Sequence, residues 1–117
     1  MPEKRNVVLI TLDSLRADHC SFMGYHRKTT PTMDKMARKG LYFEIAVPSG
    51  LNTRPSMFGV HTSEYLTVAS VDFKDIREKM MAEFSRCRTL AQSLFSRKYS
   101  TVAFNPNPWA SSFYGFN

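Results

Sequence analysis

The sequence predicts an α/β layer fold with a mostly parallel sheet. Three short apolar runs are typical of strands, at residues 7–12, 41–47 and 100–104, and helix-like segments lie between them. The run at 7–12 is rich in β-branched residues and does not alternate with polar ones, which favours a strand buried on both faces. Strands that alternate with helices favour a parallel sheet covered by helices. The 117 residues amount to one domain, since domains commonly have about 100–200 residues.

Two helices are predicted by a proline in the first turn. Thr30 is a suitable N-cap and Pro31 a suitable first residue for one helix, and Gly40 is a typical stop signal after it. Pro55 fits the first turn of a second, shorter helix. Three apolar residues of this second helix are expected to face inward: Met57, Phe58 and Val60.

Two further helices are predicted in the second half of the chain. The segment 75–85 carries apolar residues on one helical face, at Ile76, Met80 and Phe84. Thr89 and Gln92 have the spacing of a capping box, in which each side chain accepts a hydrogen bond from the other residue's backbone N–H. Three apolar side chains of that helix are expected to be buried: Leu90, Leu94 and Phe95.

Composition and charge narrow the class of protein. The chain is 43% hydrophobic, which is enough to form a core. Its net charge is +6, and the basic residues are scattered along the chain. We interpret them as solvated residues on helix faces, and the alternative is a site that attracts anionic substrates. No basic stripe is interleaved with aromatic residues, so no nucleic-acid partner is expected. Cys20 and Cys87 lack metal-ligand spacing and are interpreted as buried free thiols of a reducing compartment. The early apolar run is too short for a membrane span and no cleavage site follows, so a cytoplasmic protein is expected.

Asp13 is the first candidate for chemistry. It directly follows the first predicted strand, and the loop at 50–53 follows the second, so a parallel sheet would bring both to the edge where sites collect. A carboxylate after a buried strand is desolvated, and a metal ion or a helix N-terminus would compensate it. The alternative is that Asp13 only caps the turn at 14–17.

Thr53 is the second candidate, because it places a hydroxyl at the predicted start of a helix. Such a hydroxyl becomes a nucleophile when a base or a metal lowers its pKa. The positive end of the helix dipole also favours an anionic ester there. The alternative is a plain N-cap. The three histidines share no spacing and are interpreted as structural: His19, His26 and His61.

The order of these motifs resembles the sulfatases, within the alkaline phosphatase superfamily. Residues 6–18 (NVVLITLDSLRAD) resemble the opening of that family, and residues 53–56 (TRPS) resemble its Cys/Ser-x-Pro-Ser-Arg signature. Smaller motifs follow in the family's order over nearly the whole chain, at 24–25, 29–31, 40–43, 89–91, 99–104 and 114–116.

The resemblance implies a three-layer α/β sandwich of the alkaline phosphatase type, present here in part. It implies that Asp13 and Thr53 bind a divalent metal (Zn, Mn, Ca or Mg) and that Thr53 is the nucleophile toward a small anionic ester. Many sulfatases have a second Asp where this chain has Ser14, and the signature's Arg is Met57 here. Arg54, beside the nucleophile position, is the candidate to contact the anionic group instead.

Threonine at the nucleophile position departs from sulfatases that oxidise Cys or Ser to formylglycine. Oxidising Thr53 would give a ketone, which hydrates poorly, so that route is not expected. Family branches with a nucleophilic threonine are the phosphodiesterases, pyrophosphatases and phosphoethanolamine transferases, which form a phosphothreonine. The family's later metal ligands lie beyond the position that Asn117 matches, so residues 1–117 are interpreted as the N-terminal part of a catalytic domain that is inactive alone.

Three functional hypotheses follow. The first is a metal-dependent phosphate- or sulfate-ester hydrolase with Thr53 as nucleophile, and the second is a sulfatase that works without formylglycine. The third is a non-catalytic chain that keeps the fold and binds a partner. An incomplete sheet would have exposed edges, so self-association through such an edge is expected, with the aromatics at 109–116 left uncovered.

Overall fold

The computed structural model describes residues 5–66 and 75–116. Within these ranges the chain forms four α-helices: α1 (Pro31–Ala37), α2 (Thr53–Thr62), α3 (Ile76–Arg86) and α4 (Leu90–Ser96). Single-turn 3-10 helices occur at Ala17–His19, Ser21–Met23, Pro108–Ala110 and Ser112–Tyr114. The chain divides into two compact units, Met1–Ala46 and Val47–Asn117.

The predicted parallel sheet, and with it the three-layer α/β sandwich, is wrong for the described residues. In residues 5–66 and 75–116 no strand forms, and the runs at 7–12, 41–47 and 100–104 are irregular. Their apolar side chains lie in solvent, with Ile45 85% and Phe104 94% exposed. A strand is stabilised by a neighbouring strand, and β propensity measures the fit to that neighbour more than a backbone preference. No described segment supplies that neighbour, so the expected sheet edge is lost as well.

In the first unit, a polar cluster fastens a 3-10 turn to α1. Thr30 Oγ1 accepts from the Ser21 backbone N–H at 2.9 Å and donates to Asp34 Oδ1 at 3.1 Å. Ser21 Oγ also donates to Asp34, at 2.8 Å. Thr30 is the N-cap residue and Pro31 the first helical residue, as predicted, but the Thr30 side chain makes no capping bond because Ser21 and Asp34 engage it.

The end of α1 also follows the prediction. The helix stops at Ala37, and the Gly40 backbone N–H donates to the Met36 carbonyl at 2.9 Å. The earlier turn at Gly24 has φ +99°, a left-handed value that favours glycine. The stop signal at Gly40 is therefore confirmed, and Gly24 closes the 3-10 turn Ser21–Met23.

The second unit has an apolar core formed by α2 and α3. Phe58, Met80 and Phe84 are buried, and Met80 is 0% exposed. The Phe84 ring lies edge-on to Phe58 with centroids 4.8 Å apart and edge-on to Phe116 at 4.7 Å. The predicted inner face of the 75–85 helix is confirmed by Met80 and Phe84. Further residues pack against this core: Leu66, Ile76, Cys87, Tyr114 and Phe116.

The predicted start of α4 is confirmed, but the predicted burial of its apolar side chains is confirmed for neither Leu90 nor Phe95. The Thr89 backbone N–H donates to Gln92 Oε1 at 3.0 Å, and the Gln92 backbone N–H donates to Thr89 Oγ1 at 3.2 Å, completing the capping box. The prediction that Leu90 and Phe95 are buried is wrong, since both are exposed. A capping box fixes where a helix begins, and it does not specify what covers its apolar face. Val60 of α2, expected to face inward, is likewise exposed.

Other predictions concern the cysteines and the late aromatics. Cys20 and Cys87 are free thiols, the first buried and the second half-buried. Of the aromatics expected to be uncovered, Tyr114 and Phe116 are half-buried against the core, whereas Trp109 and Phe113 are exposed. The α3 and 3-10 segments thus provide more cover than an incomplete sheet was expected to allow.

Candidate functional site

Asp13 lies in the first unit, in an irregular turn. It is exposed, so the desolvation expected after a buried strand does not occur. The next residue, Ser14, has φ +59°, a left-handed conformation that few non-glycine residues adopt. Asp13 therefore lies at the surface of the first unit, and the backbone turns sharply beside it.

Thr53 lies in the second unit as the first residue of α2. It is half-buried, and the N-cap position is Asn52, with φ −142° and ψ 173°. The alternative, in which Thr53 is a plain N-cap, is therefore wrong, because Asn52 occupies the N-cap position. Pro55 is the third helical residue, where its missing N–H removes no intrahelical hydrogen bond.

The loop before α2 is fastened to the first turns of the helix. Ser49 Oγ donates to the Pro55 carbonyl at 3.0 Å, and Ser56 Oγ donates to the Gly50 carbonyl at 2.8 Å. A Cβ atom on Gly50 would lie well inside van der Waals contact with the Pro55 ring. The loop can approach the helix this closely because Gly50 has no side chain, and this approach fixes the direction in which the chain enters at Thr53.

Arg54, the second residue of α2, stacks against aromatic rings. Its guanidinium carbon lies 4.8 Å from the Trp109 ring centroid and 6.0 Å from that of Tyr114. The residue is half-buried, and its Nη1 atom is buried. A guanidinium at these distances is attracted by the negative face of an aromatic ring. The structure thus holds a cation next to Thr53 along the helix.

Two asparagines order the segment that carries Trp109. Asn107 Oδ1 accepts from the Trp109 backbone N–H at 3.0 Å, which caps the 3-10 helix Pro108–Ala110. The Asn105 side chain donates to the Ala110 carbonyl and accepts from the Asn107 backbone N–H at 2.9 Å. The contact between Arg54 and Trp109 was not predicted. The Asn-Pro-Asn-Pro loop followed by aromatic residues marks the segment, but no local pattern links it to Arg54.

Outside this site, the surroundings of Asp18 and of His61 shift the pKa of each side chain. Arg16 donates to both carboxylate oxygens of Asp18, at 3.0 and 2.6 Å, and His19 Nδ1 lies 2.9 Å from Asp18 Oδ1. The hydrogen bond from Arg16, followed by that of His19, holds the pKa of Asp18 well below its usual range. His61 of α2 lies edge-on to Phe116 at 5.6 Å, and burial lowers its pKa.

The residues expected to bind a metal belong to different units, Asp13 to the first and Thr53 to the second. Within residues 5–66 and 75–116, no three His, Cys, Asp or Glu side chains form a cluster that could hold a metal ion. One carboxylate and one hydroxyl are fewer than the three protein ligands of a typical catalytic zinc site. The described residues therefore do not by themselves form a complete metal centre.

The chain matches the model of a known protein family. A family model described as Sulfatase matches residues 5–115, nearly the whole chain. Searches of curated proteins and of solved structures give no match to this chain. Of the helices in the described part of the chain, none has both the length and the apolar character needed to cross a membrane.

Proposed function

Because the chain belongs to the sulfatase family, we propose that it acts as a hydrolase of sulfate or phosphate esters with Thr53 as the nucleophile. The observation that carries this proposal is the family match over residues 5–115, which includes the signature at 53–56. The position of Thr53 as the first residue of the ten-residue helix α2 supports it. A helix N-terminus favours an anionic ester and the negative charge that develops during its reaction.

The proposed reaction has two steps. Thr53 Oγ1 attacks the sulfur or phosphorus atom, the bond from that atom to the ester oxygen breaks, and the alcohol leaves with the proton lost by Thr53. Water then attacks the threonyl ester, which restores the hydroxyl and releases sulfate from a sulfate ester or a phosphate monoester from a phosphodiester. A threonine hydroxyl is a weak nucleophile at its ordinary pKa, so the proton must be removed as attack proceeds.

Arg54 is the proposed contact for the anionic group. Its planar guanidinium forms paired hydrogen bonds to sulfate or phosphate oxygens, which a lysine ammonium cannot reproduce. It lies one residue after the proposed nucleophile, and the contacts with Trp109 and Tyr114 hold it there. In this chain it replaces the signature arginine, whose position is Met57.

A divalent metal (Zn, Mn, Ca or Mg) does not fit the described residues as a complete site. Thr53 is the ligand proposed in the second unit, the metal-binding role of Asp13 in the first unit stays a prediction of the resemblance, and further protein ligands are required to hold an ion. The metal, when bound, supplies charge neutralisation and lowers the pKa of a coordinated hydroxyl. The role proposed for Arg54 does not use that ion, whereas the Thr53 hydroxyl requires a base or a metal to take up its proton.

The test is turnover of an aryl phosphodiester and of an aryl sulfate by the wild-type protein, prepared at its natural length, and by its Thr53 variants. Thr53→Ala and the similarly shaped Thr53→Val are expected to lower the rate by about 10³-fold or more, since a group that forms a covalent intermediate is removed. Thr53→Ser keeps a hydroxyl and retains part of the rate. Thr32→Ala removes an exposed threonine hydroxyl of α1 and is the matched control, with an unchanged rate expected. Full activity in Thr53→Ala contradicts the proposal.

The two substrates also separate the two enzymatic hypotheses. A threonine nucleophile favours the phosphodiester, so we propose the phosphodiester as the preferred substrate class. Turnover of the aryl sulfate alone would identify a sulfatase that works without formylglycine.

The second candidate function is a non-catalytic chain that binds an anionic partner. Two observations favour this non-catalytic candidate. Within the described residues no three side chains form a metal-binding cluster, and Ser14 and Met57 stand at positions where sulfatases carry Asp and Arg. Binding of inorganic phosphate or sulfate without turnover of either ester would support this candidate over the hydrolase.

A further inference from the structure

We infer that Trp109 and Tyr114 are positioning residues that orient the Arg54 guanidinium toward an incoming sulfate or phosphate group. The inference rests on the proposed function of Arg54 as the contact for the anionic group. We refer to Trp109 and Tyr114 as the aromatic bracket. The inference is supported by the contacts of both rings with Arg54, whose guanidinium carbon lies 4.8 Å and 6.0 Å from their centroids.

Both residues of the aromatic bracket lie in segments that are held by local hydrogen bonds or by packing against the core. Trp109 lies in a 3-10 helix capped by Asn107, and the next residue, Ala110, is buried. Tyr114 packs against the core cluster that includes Phe84. Gly115 follows with φ +92°, and a Cβ atom there would lie 2.8 Å from the Phe84 ring, so the turn fits directly against the core. The two rings also lie near each other, with centroids 5.5 Å apart.

Stacking and anion binding use different parts of a guanidinium. The rings engage its face, whereas its N–H groups point outward in its plane. An anion is therefore expected to bind at the in-plane N–H edge of Arg54, which the rings leave uncovered. A bracketed arginine loses less side-chain freedom when the anion binds, because its orientation is already restricted. The bracket therefore raises affinity for the oxyanion without touching it.

The chain contains a matched control for this arrangement. Arg77 of α3 stacks on Phe113 with the guanidinium carbon 4.6 Å from the ring centroid, and its Nε donates to the Phe113 carbonyl at 3.2 Å. This is a second arginine–aromatic pair in the same unit, carried by a different helix. Removing the Arg77 charge changes net charge and stacking as much as removing that of Arg54, but it removes no contact of Arg54 with Trp109 or Tyr114.

The first measurement uses Trp109, the only tryptophan of the chain, as its own reporter. Without any anion, Arg54→Gln is expected to raise the quenching of Trp109 fluorescence by acrylamide, because the ring loses the cation that covers it. Arg77→Gln is expected to leave the quenching unchanged. Equal quenching in the wild type and Arg54→Gln would show that the bracket does not hold Arg54, and it would overturn the inference.

The second measurement is calorimetric titration of the full chain with inorganic sulfate and with inorganic phosphate. Arg54→Gln is expected to abolish binding. Trp109→Leu, which has no aromatic face, is expected to weaken it roughly tenfold, equivalent to about 1.4 kcal/mol. Trp109→Phe keeps a face and stays within about twofold of the wild type, as does Arg77→Gln. If circular dichroism shows that Trp109→Leu has lost helix, Tyr114→Leu decides by the same criterion.

The outcomes separate the inference from the proposed function. If the wild type binds, Arg54→Gln does not, and Trp109→Leu binds as well as Trp109→Phe, then Arg54 keeps its role and the positioning role is overturned. If the wild type binds neither anion, or Arg54→Gln binds as tightly as the wild type, the proposed role of Arg54 fails and the positioning role fails with it.

Discussion

Single residues around α2 carry most of the chemistry proposed for this chain. Thr53 was selected from its place in a short motif, and the structure puts it inside the helix, after Asn52. Arg54 was also selected from the sequence, as the base next to Thr53. Its contact with Trp109 could not be predicted, because the two residues lie far apart in the chain and no local pattern links them. Local signals identify the candidate side chains, whereas the tertiary fold determines what surrounds them.

His61 makes the stability of the second unit depend on pH. Burial lowers the pKa of His61 in the folded chain below its unfolded value of about 6.5. Between those two values the unfolded chain binds more protons, so stability is full above about pH 6.5 and is lost as the pH falls below it. The thermal midpoint is therefore expected to be lower at about pH 5.5 than at about pH 7.5.

The control for this prediction is a histidine that is not buried. His61→Gln is expected to remove most of the difference between the two pH values, whereas His26→Gln, at an exposed position, is expected to keep it. The same pH dependence in His61→Gln and in the wild type would assign the effect to another group. The low pKa of Asp18 acts only in a more acidic range, because its ordinary value is 3.8.

At the scale of the elements, helices were predicted well and strands were not. Pro31, the Thr89–Gln92 capping box and the spacing of Met80 and Phe84 are local signals, and each marks a helix that the structure contains. A strand depends on a partner elsewhere in the chain, which no local run of residues can specify. The run at 7–12 has strand composition but no strand neighbour within the described residues.

The core of the second unit depends on one face of α3. Met80 is fully buried, and its neighbour Met81 is 42% exposed on the same helix. Met80→Ala is expected to lower the free energy of unfolding by about 2–5 kcal/mol, because it leaves a cavity beside Phe58 and Phe84. Met81→Ala makes the same chemical change at the exposed position, and its effect is expected to stay within about 0.5 kcal/mol. Urea unfolding measures both, and equal losses would contradict the assignment of Met80 to the core.

At the scale of the whole molecule, exposed apolar runs predict self-association. The segments at 7–12 and 41–47 combine β-branched and aromatic residues, and most of their large side chains are exposed. Such segments pair with other chains when no internal strand neighbour covers them. The chain is therefore expected to form concentration-dependent oligomers, observed as a rising sedimentation coefficient.

Charge placed within the first of these segments tests the origin of the association. Val8→Lys with Ile10→Lys is expected to shift the population toward monomer, because charges disfavour strand pairing between chains. Met36→Lys with Met81→Lys adds the same charge at exposed helical positions and is expected to shift it less. A wild-type chain that stays monomeric across the concentration range would contradict the prediction.

The proposed hydrolase reaction requires Thr53 to form a covalent bond to the transferred group. The most direct measurement is mass spectrometry of peptides from the chain after brief incubation with an aryl phosphodiester and acid quenching. The peptide that contains Thr53 is expected to carry the transferred phosphoryl group with its remaining ester substituent, located on Thr53 by fragmentation and missing in Thr53→Val. Product formation with an unmodified Thr53 peptide, or with the modification on another residue, would contradict it.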